Sequence, residues 1–313
     1  MPTRPIPVFH LYYRSRQRLG SSLMRTHQLC AMAQRHGSGR FEHNTRPVTE
    51  SRNPLLQRLW VARQPAGAIY VFGKKTARRL SNDAMQALRR KALAILFDHV
   101  DTQVDMLRPE GADIHLASSH GQLAQFQGLV KARKLTGTPA LLLHSADLRL
   151  LEASAPKARE FAMVYCGRTG NAFLPDERFS GIDILDGGSV ERFSACLERL
   201  PQYPLHYAIR PERALPSDII APFTKGMTAA ACGANIVTNR DTPDAKILLG
   251  EDYPYFVDAP EAQAVLPVLQ QAREDFGGAR WQLGIERMKA LHATCNAPAT
   301  ASSLEKILNQ VVA

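Results

Sequence analysis

Residues 216–241 read Pro216-Ser-Asp-Ile-Ile-Ala-Pro-Phe-Thr-Lys-Gly-Met-Thr-Ala-Ala-Ala-Cys-Gly-Ala-Asn-Ile-Val-Thr-Asn-Arg-Asp241. Pro222 and Thr224 open a helix whose first turn carries Lys225. Small residues continue it through Ala229, Ala230 and Ala231, and Gly233 ends it as a C-terminal cap. A strand over 235–238 follows. A helix, a glycine turn and an apolar strand in that order read as part of a parallel sheet covered by helices. Free amides, the positive end of the helix dipole, a threonine hydroxyl and a lysine together suit a diphosphate. The same features also describe an ordinary helix with a surface lysine.

Outward from this segment the pattern repeats. Before it, strands are expected at 161–166, 182–185 and 205–209, with a helix near 190–200. Earlier still, strands at 8–11, 68–72, 94–97, 113–117 and 140–143 alternate with helices at 22–35, 82–91 and 121–134. Residues 145–160 are polar and small enough to be a connector. The expected architecture is α/β: an N-terminal α/β domain over 1–155, a C-terminal α/β domain over 156–295, and a helical segment at the end. The closing stretches 261–274 (interrupted by Pro267), 279–293 and 302–312 have helical apolar spacing, with the last helix assigned to 296–313. In open sheets of this kind ligands bind beyond the carboxyl ends of the strands.

The 313 residues allow a substantial core, and 45% hydrophobic with 22% charged residues is ordinary for a globular chain. No apolar run reaches the roughly 20 residues needed to span a bilayer, and the start has no secretory signal pattern. The five cysteines are scattered, without C-x-x-C pairs, so neither a disulfide framework nor a zinc site is expected. A cytoplasmic location fits. The net charge of +10 is concentrated early, at Arg14, Arg16, Arg18, Arg25, Arg35 and Arg40 and again between Lys74 and Lys91. Such a face can draw anionic lipid headgroups or phosphorylated small molecules, or stand solvated without a partner. Few aromatics and no recognition motif argue against nucleic acid.

The segment around Thr224-Lys225 resembles the nucleotide-sugar motif of GT-B glycosyltransferases, in which Ser/Thr-Lys opens a helix that runs into Glu-Ala-x-Ala-x-Gly and a strand. Thr224, Lys225, Ala229, Ala231 and Gly233 match. The family's ribose-holding glutamate falls on Thr228, and its upstream acidic partner falls on Ile220, with Asp218 close by. Leu-Gly-Glu-Asp-Tyr-Pro-Tyr at 249–255 resembles the end of the same region. Val164-Tyr-Cys-Gly-Arg-Thr-Gly-Asn171 resembles the Gly-Arg turn after the first strand of the donor domain, which assigns Arg168 and its neighbour Thr169 to the donor diphosphate. The companion lysine of that turn is missing, and Phe173 and Leu174 stand there instead. Arg210, after the strand at 205–209, is a third cation at a carboxyl edge. Arg18-Leu-Gly-Ser-Ser-Leu-Met-Arg25 resembles the glycine loop of the acceptor domain, with Gly20, Ser21 and Ser22 facing a ligand; a plain helix cap reads equally well.

The resemblance implies two Rossmann-like domains facing a cleft and a glycosyltransferase using a nucleotide sugar. The acceptor would be a glycan, a lipid-linked molecule or a protein, as in bacterial surface glycan synthesis, with peripheral contact to an anionic inner-membrane surface. An inverting enzyme needs a base in the first domain. His120 follows the strand at 113–117, and Asp98 and Asp101 follow the strand at 94–97; His144 and Asp147 follow 140–143. Each also suits a capping or surface role. No Asp-x-Asp occurs, so no metal and no cofactor beyond the co-substrate are expected. A nucleotide-sugar epimerase or hydrolase on the same fold, and a non-catalytic basic binding module, are the rival readings.

Overall fold

Side-chain alternation builds the first sheet. The computed structural model describes residues 4–17, 20–152, 160–212 and 219–312. In it β1 (Ile6–Tyr12), β2 (Phe41–Pro47), β3 (Ile69–Phe72), β4 (Ala94–Asp98), β5 (Ile114–Ala117) and β6 (Thr138–Leu141) pair in parallel, in the order β2-β1-β3-β4-β5-β6. Phe9, Leu11, Tyr70, Phe72, Ile95 and Phe97 join one apolar cluster, while their neighbours Val8, Ile69, Val71, Ala94 and Leu96 join another. The strands are therefore covered on both faces, as all-parallel sheets are.

The helices begin where the sequence supplies caps. α1 (Gly20–Ser22) runs through a π-helical stretch, Leu23–Gln28, into α2 (Leu29–His36). Asn53 caps α3 (Pro54–Ala62), with proline at its first position, and Ser81 caps α4 (Asn82–Arg89). Ser119 caps α5 (His120–Lys131).

Two expectations shift here and two elements are new. β6 starts earlier than expected because Gly137, at φ +93°, turns the chain straight into Thr138, whose amide bonds the Asp113 carbonyl at 2.8 Å. The connector expected at 145–160 contains a helical turn, α6 (Leu148–Leu151), which Asp147 caps. β2 and α3 had no expectation: β2 is a polar edge strand, and α3 turns leucines outward.

A second parallel sheet holds β7 (Met163–Gly167), β8 (Ile182–Asp186), β9 (Leu205–Tyr207), β10 (Asn235–Asn239) and β11 (Phe256–Val257), in the order β11-β10-β9-β7-β8. α7 (Val190–Arg199), α8 (Thr224–Ala231), α9 (Ala245–Leu249), α10 (Ala262–Glu274) and α11 (Ala279–Cys295) accompany it. α8 ends as its glycine predicts. Gly233 sits at φ +60°, its amide bonds Ala230, and the Ala234 amide reaches back to Ala229. α10 runs unbroken through Pro267, where an interruption was expected.

The chain folds as two compact units: Met1–His144 with Pro216–Pro222 and Ala297–Ala313, and Ser145–Leu215 with Phe223–Asn296. The last helix, α12 (Ala297–Gln310), belongs to the first unit, where Leu304, Ile307 and Leu308 join the cluster of Leu29 and Ala33. The expected boundary near residue 155 lies outside the described residues, as do Arg18, Leu19 and Asp218.

Candidate active site

Strand order fixes where each unit can bind a ligand. In the second sheet β7 and β8 lie on one side and β9, β10 and β11 on the other, so the winding reverses between β7 and β9. Loops leave a crevice at the carboxyl end of such a reversal. Gly167 ends β7 at this point and Arg168 follows it, Arg210 comes after β9, and in sequence α8 starts between β9 and β10.

Lys225, in the first turn of α8, reaches the end of β7. Its Nζ donates to the Cys166 carbonyl and lies 4.1 Å from the centroid of the Tyr165 ring. Tyr165 is held in turn, its hydroxyl donating to the Arg168 carbonyl at 2.7 Å. A Cβ on Gly167 would stand 3.0 Å from that hydroxyl and 3.1 Å from Nζ, and the residue has φ +144°, so glycine makes this approach possible. Burial pushes the Lys225 ammonium down to about 8, and the Arg210 charge acts in the same direction. A cation held against its own desolvation, with the Arg210 charge acting on it, favours an arriving anion.

The other expected donor residues are distributed unevenly. Arg168 is exposed, and Thr169 opens the short turn that follows it. The residue at the N-cap of α8 is Phe223, an apolar side chain where a serine, threonine or aspartate commonly stands. Thr228, where the family's glutamate falls, turns its hydroxyl back to the Thr224 carbonyl at 2.9 Å, within its own helix. Asn239, which the sequence reading passed over, clamps Arg210: its Oδ1 accepts from the Arg210 amide at 2.8 Å, and its Nδ2 donates to the Arg210 carbonyl. Beside this clamp an open pocket of about 640 Å³ lies over the ends of β9, β10 and β11, lined by Arg210, Glu212, Asn239, Asp241, Thr242 and Asp258. The strand-end rule, applied to β10, would have found Asp241 and Thr242, which stand just beyond it.

In the first unit the winding reverses between β1 and β3. Gly20, Ser21 and Ser22 form the first turn that leads into the π-helical stretch. A Cβ on Gly73 would stand 2.6 Å from Thr26 Oγ1, so this helix lies directly on the end of β3. Asp98, at the end of β4, is enclosed. Its Oδ2 accepts from Arg25 Nε at 2.8 Å, and Arg25 Nη1 donates to the carbonyls of Leu142 and Leu143. Asp101 stands further out, with its Oδ2 3.6 Å from Lys74 Nζ and its side chain 41% exposed. Its backbone is in the left-handed region at φ +48°, as is that of Lys75 at φ +62°. Such strain in non-glycine residues gathers at functional sites. His120 begins α5, half-buried, at the end of the strand beside β4. His144 is buried, and Asp147 caps α6 and pairs with Arg149. Among the described residues no group of three or more His, Cys, Asp or Glu is placed to hold a metal ion.

No protein-family model and no curated protein matches the sequence. Solved structures do match the fold. A glycosyltransferase from Rickettsia africae aligns with a TM-score of 0.61 at 8% identity, covering 99% of both chains. AviGT4, a glycosyltransferase involved in avilamycin A biosynthesis, aligns with a TM-score of 0.61 at 13% identity over 98% of this chain and 97% of its own. HepE of Anabaena, solved with UDP-glucose, aligns with a TM-score of 0.55 at 11% identity over 97% of this chain and 100% of its own. The fold is that of the GT-B glycosyltransferases. Against the GtfA/B complex, which matches 82% of this chain, the chain spans 60% of the length of its relative. The two parallel sheets with flanking helices and the helical C-terminal segment correspond to the two Rossmann-like domains of the GT-B neighbours.

Proposed function

We propose that the chain is a GT-B glycosyltransferase whose second unit binds a nucleotide diphosphate sugar. The observation that carries this reading is the half-buried Lys225, whose ammonium is fixed on the Cys166 carbonyl and the Tyr165 ring at the reversal of the sheet, with Arg168 and Arg210 at the neighbouring strand ends. As the bond from the anomeric carbon to the diphosphate breaks, charge grows on the leaving oxygen. In this reading these cations and the positive end of the α8 dipole stabilise that charge, in place of a metal. The pocket beside Arg210 is large enough for the nucleoside.

Transfer forms a bond from an acceptor oxygen to the anomeric carbon, and the acceptor proton passes to a base. Asp101 suits that role, since it is partly exposed and held close to Lys74, and His120 is the second candidate. Asp98 serves instead to neutralise Arg25. A glycan, lipid-linked or protein acceptor, as in bacterial surface glycan synthesis, fits the early basic residues.

The test is calorimetric titration of the full chain with UDP, GDP, CMP and dTDP and their sugars, followed by product analysis with and without acceptors. At least one nucleotide should bind, and Lys225→Ala should weaken it by roughly tenfold to a hundredfold while leaving the unfolding midpoint near that of the parent. If none binds, or if Lys225→Ala binds as the parent does, the donor assignment fails. Sugar release without an acceptor would point to a hydrolase.

A further inference from the structure

α3 is inverted relative to an ordinary surface helix. It offers Gln57, Val61 and the half-buried Trp60 to the interior, whereas Leu55, Leu56 and Leu59 are 66%, 48% and 53% exposed. The polar residue is the anchor. Gln57 Nε2 donates to the carbonyls of Ser51 and Arg79, both at 2.9 Å, and its Oε1 accepts from the Ser81 amide at 2.8 Å. Trp60 adds a bond from Nε1 to the Pro47 carbonyl at 3.0 Å. The helix is thus held in one orientation, with its leucines outward. They share one face, since position 59 lies four residues from 55 and three from 56 and so falls between them on the helix surface.

Cations surround this stripe. Arg58 is exposed on the helix, Arg52 and Arg63 are exposed at its two ends, and Arg90 and Lys91 line the groove where α4 packs beside it. Among the described residues Asp83 is the one acid lining that groove, and it sits 3.9 Å from Arg58. Leucines ringed by arginines, whose stems can lie along apolar surface while their heads stay wet, are the composition of a helix lying in the plane of a bilayer surface. The excess positive charge selects anionic headgroups.

We propose that α3 docks the first unit on an anionic lipid surface, with Leu55, Leu56 and Leu59 entering the acyl boundary and Arg52, Arg58 and Arg63 meeting the headgroups. The inference stands on this helix alone and holds whichever sugar or acceptor the protein uses.

Co-sedimentation of the full chain with phosphatidylcholine vesicles, with and without a third of phosphatidylglycerol, tests it. Binding is expected only to the anionic vesicles. L55Q/L56Q/L59Q and R52Q/R58Q/R63Q should each weaken it by at least about tenfold, with unchanged unfolding midpoints. Absence of binding by the parent overturns the proposal, as does a leucine variant that binds like the parent. So does a parent dimer that the leucine changes convert to a monomer, since a second copy would then be what covers the helix. Nucleotide affinity, measured in the same variants, should equal that of the parent, which keeps this result separate from the donor assignment.

Discussion

Lys225 shows how one side chain can acquire a role through its surroundings. In water an ammonium is charged at every physiological pH, but burial brings this one down to about 8. An anion bound beside it favours the charged form and raises that value again. Below about 8 the free protein already carries the charge, whereas above it the charge must be taken up on binding. Nucleotide affinity should therefore fall as pH rises from 7 to 9.5, by roughly tenfold. Lys225→Arg keeps its charge throughout, so the difference between the two proteins, read by calorimetry, isolates this group. Parallel pH profiles would show that Lys225 does not face the bound anion. The sequence made Lys225 legible because a lysine in the first turn of a helix is a local pattern. Tyr165 was not legible as its support, since a tyrosine inside a strand reads only as core.

The π-helical stretch Leu23–Gln28 is the element with the clearest internal reason. It carries Arg25, 3% exposed, into an ion pair with a fully enclosed Asp98 and onto two carbonyls beyond β6. The pair ties three segments distant in sequence. Removing one partner leaves a buried charge without compensation, which costs about 3–5 kcal/mol. Arg25→Met should lose that much in urea unfolding, and R25M/D98L should recover most of it. Equal stability of Arg25→Met and the parent would mean the pair is open to water. At this scale the sequence reading found the main strands and helices, because their apolar periods are regular. It passed over β2, whose Glu42, Asn44 and Arg46 suit an edge strand, and α3, whose leucines obey no inward period. Asp98 was an attractive base by position, yet its enclosure depends on Arg25, 73 residues away in sequence.

Across the molecule, buried histidines concentrate in the first unit. His10 Nε2 and His43 Nδ1 are 3.0 Å apart, and His99 Nε2 and His115 Nδ1 are 2.8 Å apart. Since the Thr136 carbonyl can only accept, His115 donates to it from Nε2 and accepts from His99 at Nδ1. Burial lowers all four below the ordinary histidine value of 6.5, His43 to about 4 and His99 to about 3. The unfolded chain therefore takes up protons first. The stability is present above 6.5 and is lost as pH falls from there toward 4, at about 1.4 kcal/mol per pH unit for each histidine that stays neutral. Urea unfolding at pH 7.5 and 5.0 should show this loss, and a flat profile would mean that the pairs titrate freely. The sequence by itself determined the α/β class, the two successive sheets and the positions of Arg168, Thr224 and Lys225, because periodicity and helix ends are local. Only the tertiary structure decided which strands adjoin, that α12 belongs to the first unit, and that Asp98 is enclosed and Asp101 is not. Those outcomes rest on contacts between residues far apart in the chain, which no local pattern encodes.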